Sequence, residues 1–126
     1  MNGVDEKEAK AFCSWLGARL PKHSEWVFAA TNAGQAVKYP WGDQKPSCRR
    51  AVYRNGCGNY TTAKVCSRPK GNSAHGVCDL MGNVDEITVD EKRRGRYFSV
   101  GGSHEDRSIS RAAGKSRSSI LGNDNQ

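Results

Sequence analysis

Between Asp5 and Leu16 the apolar residues fall at Ala9, Phe12, Cys13 and Leu16, the spacing of one helical face. Asp5 suits the N-cap, Glu6 and Glu8 suit the first turn, and Gly17 suits the left-handed position beyond the end. A helix over residues 5–16 is therefore predicted, with that face turned to a core. Arg19-Leu20-Pro21 reads as a turn into a second helix, from about Ser24 to Thr31, with Trp26, Val27 and Ala30 facing inward and Asn32 to Gly34 ending it. Glu25 is read as pairing with Arg19 or capping backbone rather than as a catalytic acid. In Tyr39-Pro40-Trp41-Gly42-Asp43, Pro40 fixes the backbone and Trp41 is packing. Residues 44–75 read as one long loop region. Ile87-Thr88-Val89 has strand character, a charged loop runs from Asp90 to Arg96, and Tyr97-Phe98-Ser99-Val100 is a second strand leading into Gly101-Gly102-Ser103. The tail, residues 103–126, is polar and lacks regular periodicity, as a variable binding loop would.

One stretch, Gly76-Val77-Cys78-Asp79-Leu80-Met81-Gly82-Asn83-Val84-Asp85-Glu86, organises the rest. Glycine and asparagine tolerate left-handed backbone, so it reads as a turn, a short buried segment and a sharp second turn that aims Asn83 and Glu86 inward. Those side chains either clamp backbone groups of neighbouring loops, the preferred reading, or give oxygen ligands to a hard cation. If calcium binds, its expected site is Asn83 and Glu86 with backbone carbonyls around Val84.

At 126 residues, 36% hydrophobic and with 14 glycines, the chain is one loop-rich domain with a modest core. No apolar run approaches the ~20 residues of a membrane span. No basic segment followed by an apolar one opens the chain. The formal charge is +7, with basic groups at Arg49, Arg50 and Arg54, at Lys92 to Arg96, and at Arg107, Arg111, Lys115 and Arg117. No basic helix, finger or aromatic platform accompanies them, so nucleic acid is not expected, while an anionic glycan or acidic partner is. Gly114-Lys115-Ser116 lacks the first glycine of a phosphate-binding loop, and Asn59-Tyr60-Thr61 is a glycosylation sequon by pattern alone.

Of five cysteines, Cys48, Cys57, Cys66 and Cys78 crowd the loop-rich region, without the spacing or histidine pair of a zinc site. Two disulfides are expected, with Cys48–Cys57 and Cys66–Cys78 slightly ahead of the other two pairings. They imply an oxidising location: secreted, periplasmic or cell-surface. Cys13 is left over.

The Gly76–Glu86 stretch also resembles the signature of the formylglycine-generating enzyme family, also called the sulfatase-modifying-factor family. Four further matches follow the family's order: Ala9 to Gly17, Arg19-Leu20-Pro21 with Glu25-Trp26, Tyr39 to Asp43, and Gly101-Gly102-Ser103 followed by Arg111-Ala112-Ala113. The resemblance covers the C-terminal part of the family pattern. It implies an α+β fold of the C-type-lectin-like kind, two short helices on a small twisted antiparallel sheet.

The resemblance also implies a chemistry, the copper-dependent oxidation of a sulfatase cysteine to formylglycine, which needs a thiolate pair for Cu(I). By count from Gly-Gly-Ser, Asp106 and Arg111 stand where the family has those cysteines, so no copper is expected. A second branch of the superfamily uses histidines on iron, whereas His23, His75 and His104 are isolated in this sequence. Three positions that hold Trp in the family hold Glu6, Asp85 and His104, and the closing strand with its cysteine is missing. Cys13, whose family partner is that cysteine, is expected to be a free thiol. Together these losses predict a weakly cooperative isolated chain, with Tyr97 to Val100 an unprotected strand edge that a second copy or an upstream segment completes.

Three functions compete. The first is a catalytically inactive domain that binds a protein or glycan through Ser103, His104, Asp106, Arg107, Arg111 and Lys115. The second is an oxidase of the formylglycine-generating kind, and the third a structural accessory domain.

Overall fold

A computed structural model describes residues 3–57 and 61–108, and the backbone of 117–120. Its longer elements are α1 (Glu6–Trp15), α2 (His23–Ala30), β1 (Glu86–Val89), β2 (Arg96–Val100) and β3 (Arg117–Ile120). The stretch read as a single loop holds two short turns of its own, α3 (Arg54–Cys57) and a 3-10 turn at Pro69–Gly71.

The local signals are realised at both helices. Asp5 accepts from the Glu8 N–H at 2.8 Å while the Glu8 carboxylate accepts from the Asp5 N–H at 2.9 Å, a reciprocal cap on α1. Arg19 grips Glu25 with both guanidinium arms at 2.9 and 2.7 Å, and Glu25 also accepts from the Lys22 N–H at 2.9 Å. Glu25 thus fixes the start of α2, as expected. The hydrogen bond from Arg19 holds its carboxyl down at about 2.

The core is small: Trp26 and Ala30 from α2, Leu80 and Met81 from the central stretch, and Val100 from β2. Trp41 packs on its edge, stacked on Tyr39 with centroids 5.0 Å apart, and its Nε1 donates to the Gln44 carbonyl at 2.8 Å. The predicted core face of α1 is covered only in part, with Ala9 and Cys13 half-buried. Phe12 is 59% exposed, Trp15 78% and Leu16 58%, and no residue of α1 is buried. Helical spacing marks an apolar face, but other parts of the chain must reach it, and at Phe12 and Leu16 the described residues leave it open.

The sheet corrects a second expectation. β1 and β2 form an antiparallel hairpin in the register Glu86↔Val100 to Val89↔Tyr97, and β3 pairs with the other side of β2. The chain's own tail thus covers the edge of Tyr97–Val100, and part of the stretch read as an irregular loop is a strand. The expectation of a completing segment loses its argument here, because β2 is the middle strand.

Both favoured disulfides are present, Cys48–Cys57 and Cys66–Cys78, and Cys13 is free. Each closes a short loop, of 9 and 12 residues in separation, in a region with few buried side chains. Replacing either pair by alanine is expected to cost about 2–3 kcal/mol. Urea melts of the two double variants check this, and complete alkylation of unreduced protein would contradict it.

Candidate functional site

The central stretch passes through left-handed backbone at Gly76 (φ 79°) and Asp79 (φ 55°), and again at the adjacent Gly82 (φ 80°) and Asn83 (φ 68°). At Gly82 a Cβ would lie 2.5 Å from the Val52 carbonyl oxygen, so a side chain is excluded as well as disfavoured. The Asn83 N–H donates to that same carbonyl at 2.8 Å, and the Gly82 N–H donates to Gly101 at 3.0 Å. The Asn83 side chain is spent on one residue. Its Oδ1 accepts from the Ala63 N–H at 3.0 Å and its Nδ2 donates to the Ala63 carbonyl at 3.2 Å. Asn83 is thus a loop clamp, 4% exposed.

The third polar group of Asn83, its carbonyl, receives two bonds from one residue, the His104 N–H at 2.8 Å and ring Nδ1 at 2.9 Å. A carbonyl only accepts, so Nδ1 carries a proton. His104 is 7% exposed, and its Nε2 lies 4.0 Å from the Glu105 carboxylate. Asp106 closes the same turn: its Oδ2 accepts from the Ser103 N–H at 2.8 Å, and the Asp106 N–H donates to the Ser103 carbonyl at 3.1 Å.

A cleft of about 420 Å³ opens beside this turn. Val4, Val84, Ile87 and Phe98 form apolar parts of its lining, and Ser99 and Ser103 bring hydroxyls. Glu6, Asp85 and His104, the three positions where the family resemblance led one to expect Trp, all line it, together with Glu105. Asp85 accepts from the Ser99 hydroxyl at 2.9 Å. Sequence reasoning noticed each replacement separately, whereas folding brings the three onto one cavity. Of the predicted binding residues, Ser103 and His104 line the cleft, Asp106 ties its turn, and Arg107 is exposed. Arg111 and Lys115 lie outside the described residues.

Glu86 points the other way, to the core. Its Oε2 occupies the space a Gly101 Cβ would need, and that oxygen is buried without a hydrogen-bond partner. Burial pushes its carboxyl up to about 9. The Trp26 ring N–H works against the rise without reaching hydrogen-bond geometry, and the nearby Asp85 charge adds to it. Elsewhere, Cys66, Cys78 and Asp79 are the one group of three metal-ligand side chains within 4.8 Å among the described residues, and its two sulfurs form a disulfide.

Fold and site together describe a small α+β domain whose glycine-asparagine turn carries a polar cleft. The sequence matches the Sulfatase-modifying factor enzyme 1-like domain over residues 1–124, and the chain belongs to that family. It is 32% identical over 96 residues to the inactive C-alpha-formylglycine-generating enzyme 2 of Bos taurus, covering 70% of this chain and 32% of that protein. It is 38% identical over 84 residues to hercynine oxygenase of Mycolicibacterium smegmatis, covering 64% of this chain and 19% of that protein. The chain thus spans about a third or less of these relatives. PvdO from Pseudomonas aeruginosa shares the fold with a TM-score of 0.68 at 23% identity, over 93% of this chain and 54% of that one. No described helix is long and apolar enough to cross a membrane.

The raised Glu86 carboxyl has a defined consequence for stability. Its folded-state value lies above its ordinary 4.5, so the folded state holds a proton that the unfolded chain releases. The contribution is complete below 4.5 and is lost as pH rises through about 9. Glu86→Gln cannot ionise and is expected to flatten that decline. Thermal melts of both proteins across this range check it, and parallel curves would contradict it.

Proposed function

We propose that the chain is a catalytically inactive member of its family that acts as a secreted or surface binding domain, with the cleft beside Ser103–Asp106 as its ligand site. The observation that carries this reading is Asp106. It stands where the family resemblance places a copper thiolate, and its carboxylate is committed to the Ser103 backbone as a turn clamp. A hard carboxylate in that role does not fit Cu(I), and an arginine, as at the second position, cannot ligate a metal. The likeness to a relative called inactive supports the same reading.

The partner is a protein or an anionic glycan. The acidic cleft suits cationic groups, whereas a glycan carrying sulfates suits a separate open depression of about 510 Å³ lined by Arg49, Arg68 and Lys70. Calcium fits only in part. The Asn83 amide is already used, and Glu86 is the side chain with an oxygen to give, alongside backbone carbonyls near Val84. A calcium ion there would favour the ionised carboxylate, so its stabilisation should grow towards pH 9 and vanish in Glu86→Gln.

Incubation with Cu(I), oxygen and a Cys-x-Pro-x-Arg peptide is expected to leave the peptide mass unchanged. An aldehyde product would defeat the inactive reading. Sulfated oligosaccharides are expected to bind in a salt-sensitive way that Arg68→Ala with Lys70→Ala removes, and binding indifferent to both would exclude that surface.

A further inference from the structure

We infer that the Cys48–Cys57 disulfide is a thiol-exchange site, opened by small anionic thiols that dock in the depression lined by Arg49, Arg68 and Lys70. This stands apart from the binding-domain reading, since the reaction needs no ligand but the thiol.

Access is the first argument. Of the two bridged residues, Cys48 lines the open depression of about 510 Å³, among Arg49, Ser67, Arg68 and Lys70. A thiolate that enters there meets the Cys48 sulfur, and exchange begins with attack of a thiolate on a disulfide sulfur.

Charge is the second. Arg68 Nη2 lies 4.0 Å from the Cys48 sulfur, and its Nη1 donates to the Ser67 carbonyl and hydroxyl, each at 3.3 Å. Those two bonds hold the guanidinium beside the sulfur. Arg49, Arg68 and Lys70 have no carboxylate partner among the described residues. Their charge is therefore available to an incoming anion, and to the negative charge spread over the sulfurs as the bond exchanges.

The other disulfide has the opposite surroundings. The Asp79 carboxylate lies within 4.8 Å of the Cys66 and Cys78 sulfurs, and the Cys66 N–H holds it there at 2.6 Å. A thiolate approaching that bridge meets a like charge. Exposure alone would favour this bridge, because Cys66 is exposed while Cys48 and Cys57 are half-buried. At 4.0 and 4.8 Å, however, both charges act well inside the ~8 Å screening length of physiological salt, so charge sets the order.

The step balances without an outside oxidant. The thiol gives its proton to solvent, and its sulfur bonds to Cys48 as the Cys48–Cys57 bond breaks. Cys57 leaves as a thiolate and takes a proton from solvent. The products are a mixed disulfide at Cys48 and a thiol at Cys57, and an adduct that carries carboxylates stays among the three cations.

The test exposes the native full chain to reduced glutathione, a thiol of net negative charge, and quenches it early with acidic N-ethylmaleimide for peptide mass mapping. Glutathione on Cys48 and maleimide on Cys57 are expected before either label reaches Cys66 or Cys78. The ratio of opening at the two bridges, read in one tube, cancels the intrinsic reactivity of the thiol. With cysteamine, whose ammonium reverses the charge, that ratio should fall about tenfold. Lys70 is exposed, so Lys70→Gln should fold normally. Combined with Arg68→Gln, it should lower the glutathione ratio about tenfold and leave the rate at Cys66–Cys78 unchanged. Opening of Cys66–Cys78 first, an equal ratio for the two thiols, or an adduct on Cys57 in place of Cys48 would each overturn the assignment. So would a ratio that neither Lys70→Gln nor the double variant lowers.

Discussion

The backbone turn at Gly82-Asn83 is the constraint on which the rest of the fold depends. Val52 reaches it from one side and Gly101 from another, and the approach of Val52 is not possible with a side chain at residue 82. Asn83 then spends every polar group it has. Its N–H meets Val52, its amide meets both backbone groups of Ala63, and its carbonyl holds His104 twice. A buried residue with every polar group engaged joins three loops that little apolar contact could hold. Asn32 does the same on a smaller scale, linking the Pro40 carbonyl to the Ala74 N–H at 3.0 and 2.9 Å. In a domain with so small a core, such side-chain clamps and two disulfides take the place of packed layers.

That architecture separates two faces of one short segment. Glu86, on the inner side, is deprived of water and held against Gly101 and Trp26, so it stays protonated well above its ordinary range. Asp85, one residue earlier, points outward to Ser99 and the cleft. Alternation along an extended chain puts neighbouring residues on opposite sides. Two adjacent acids therefore have unlike chemistry: one is a neutral core group and the other a charged cleft group. The same turn presents His104 with Nδ1 on the Asn83 carbonyl and Nε2 facing Glu105. Membership of the sulfatase-modifying factor family accounts for the frame, while the residues on the cleft account for what is particular to this chain.

Much of the frame was legible in the sequence, and so was part of the site. The N-cap at Asp5, the Arg19–Glu25 pair, the helix end at Asn32 and the strands around Thr88 and Phe98 follow from local chemistry, and the observed disulfide pairing was slightly ahead of the two alternatives. The left-handed turn at Asn83 is local too, because few residues accept that conformation. Other features required the folded chain. The apolar face of α1 was legible as a face, but not that Phe12 and Leu16 would remain exposed. The tail was legible as polar, but not that Arg117–Ile120 would close the edge of β2. Glu6, Asp85 and His104 stood out singly as departures from the family pattern, and nothing in their spacing says that they share a cavity. The physical reason is one of range. Caps and turns are decided by neighbours along the chain, which the sequence determines by itself. Which face is covered, which strand lies in the middle and which polar groups meet across a cleft depend on contacts between distant segments, and those only the tertiary structure decided.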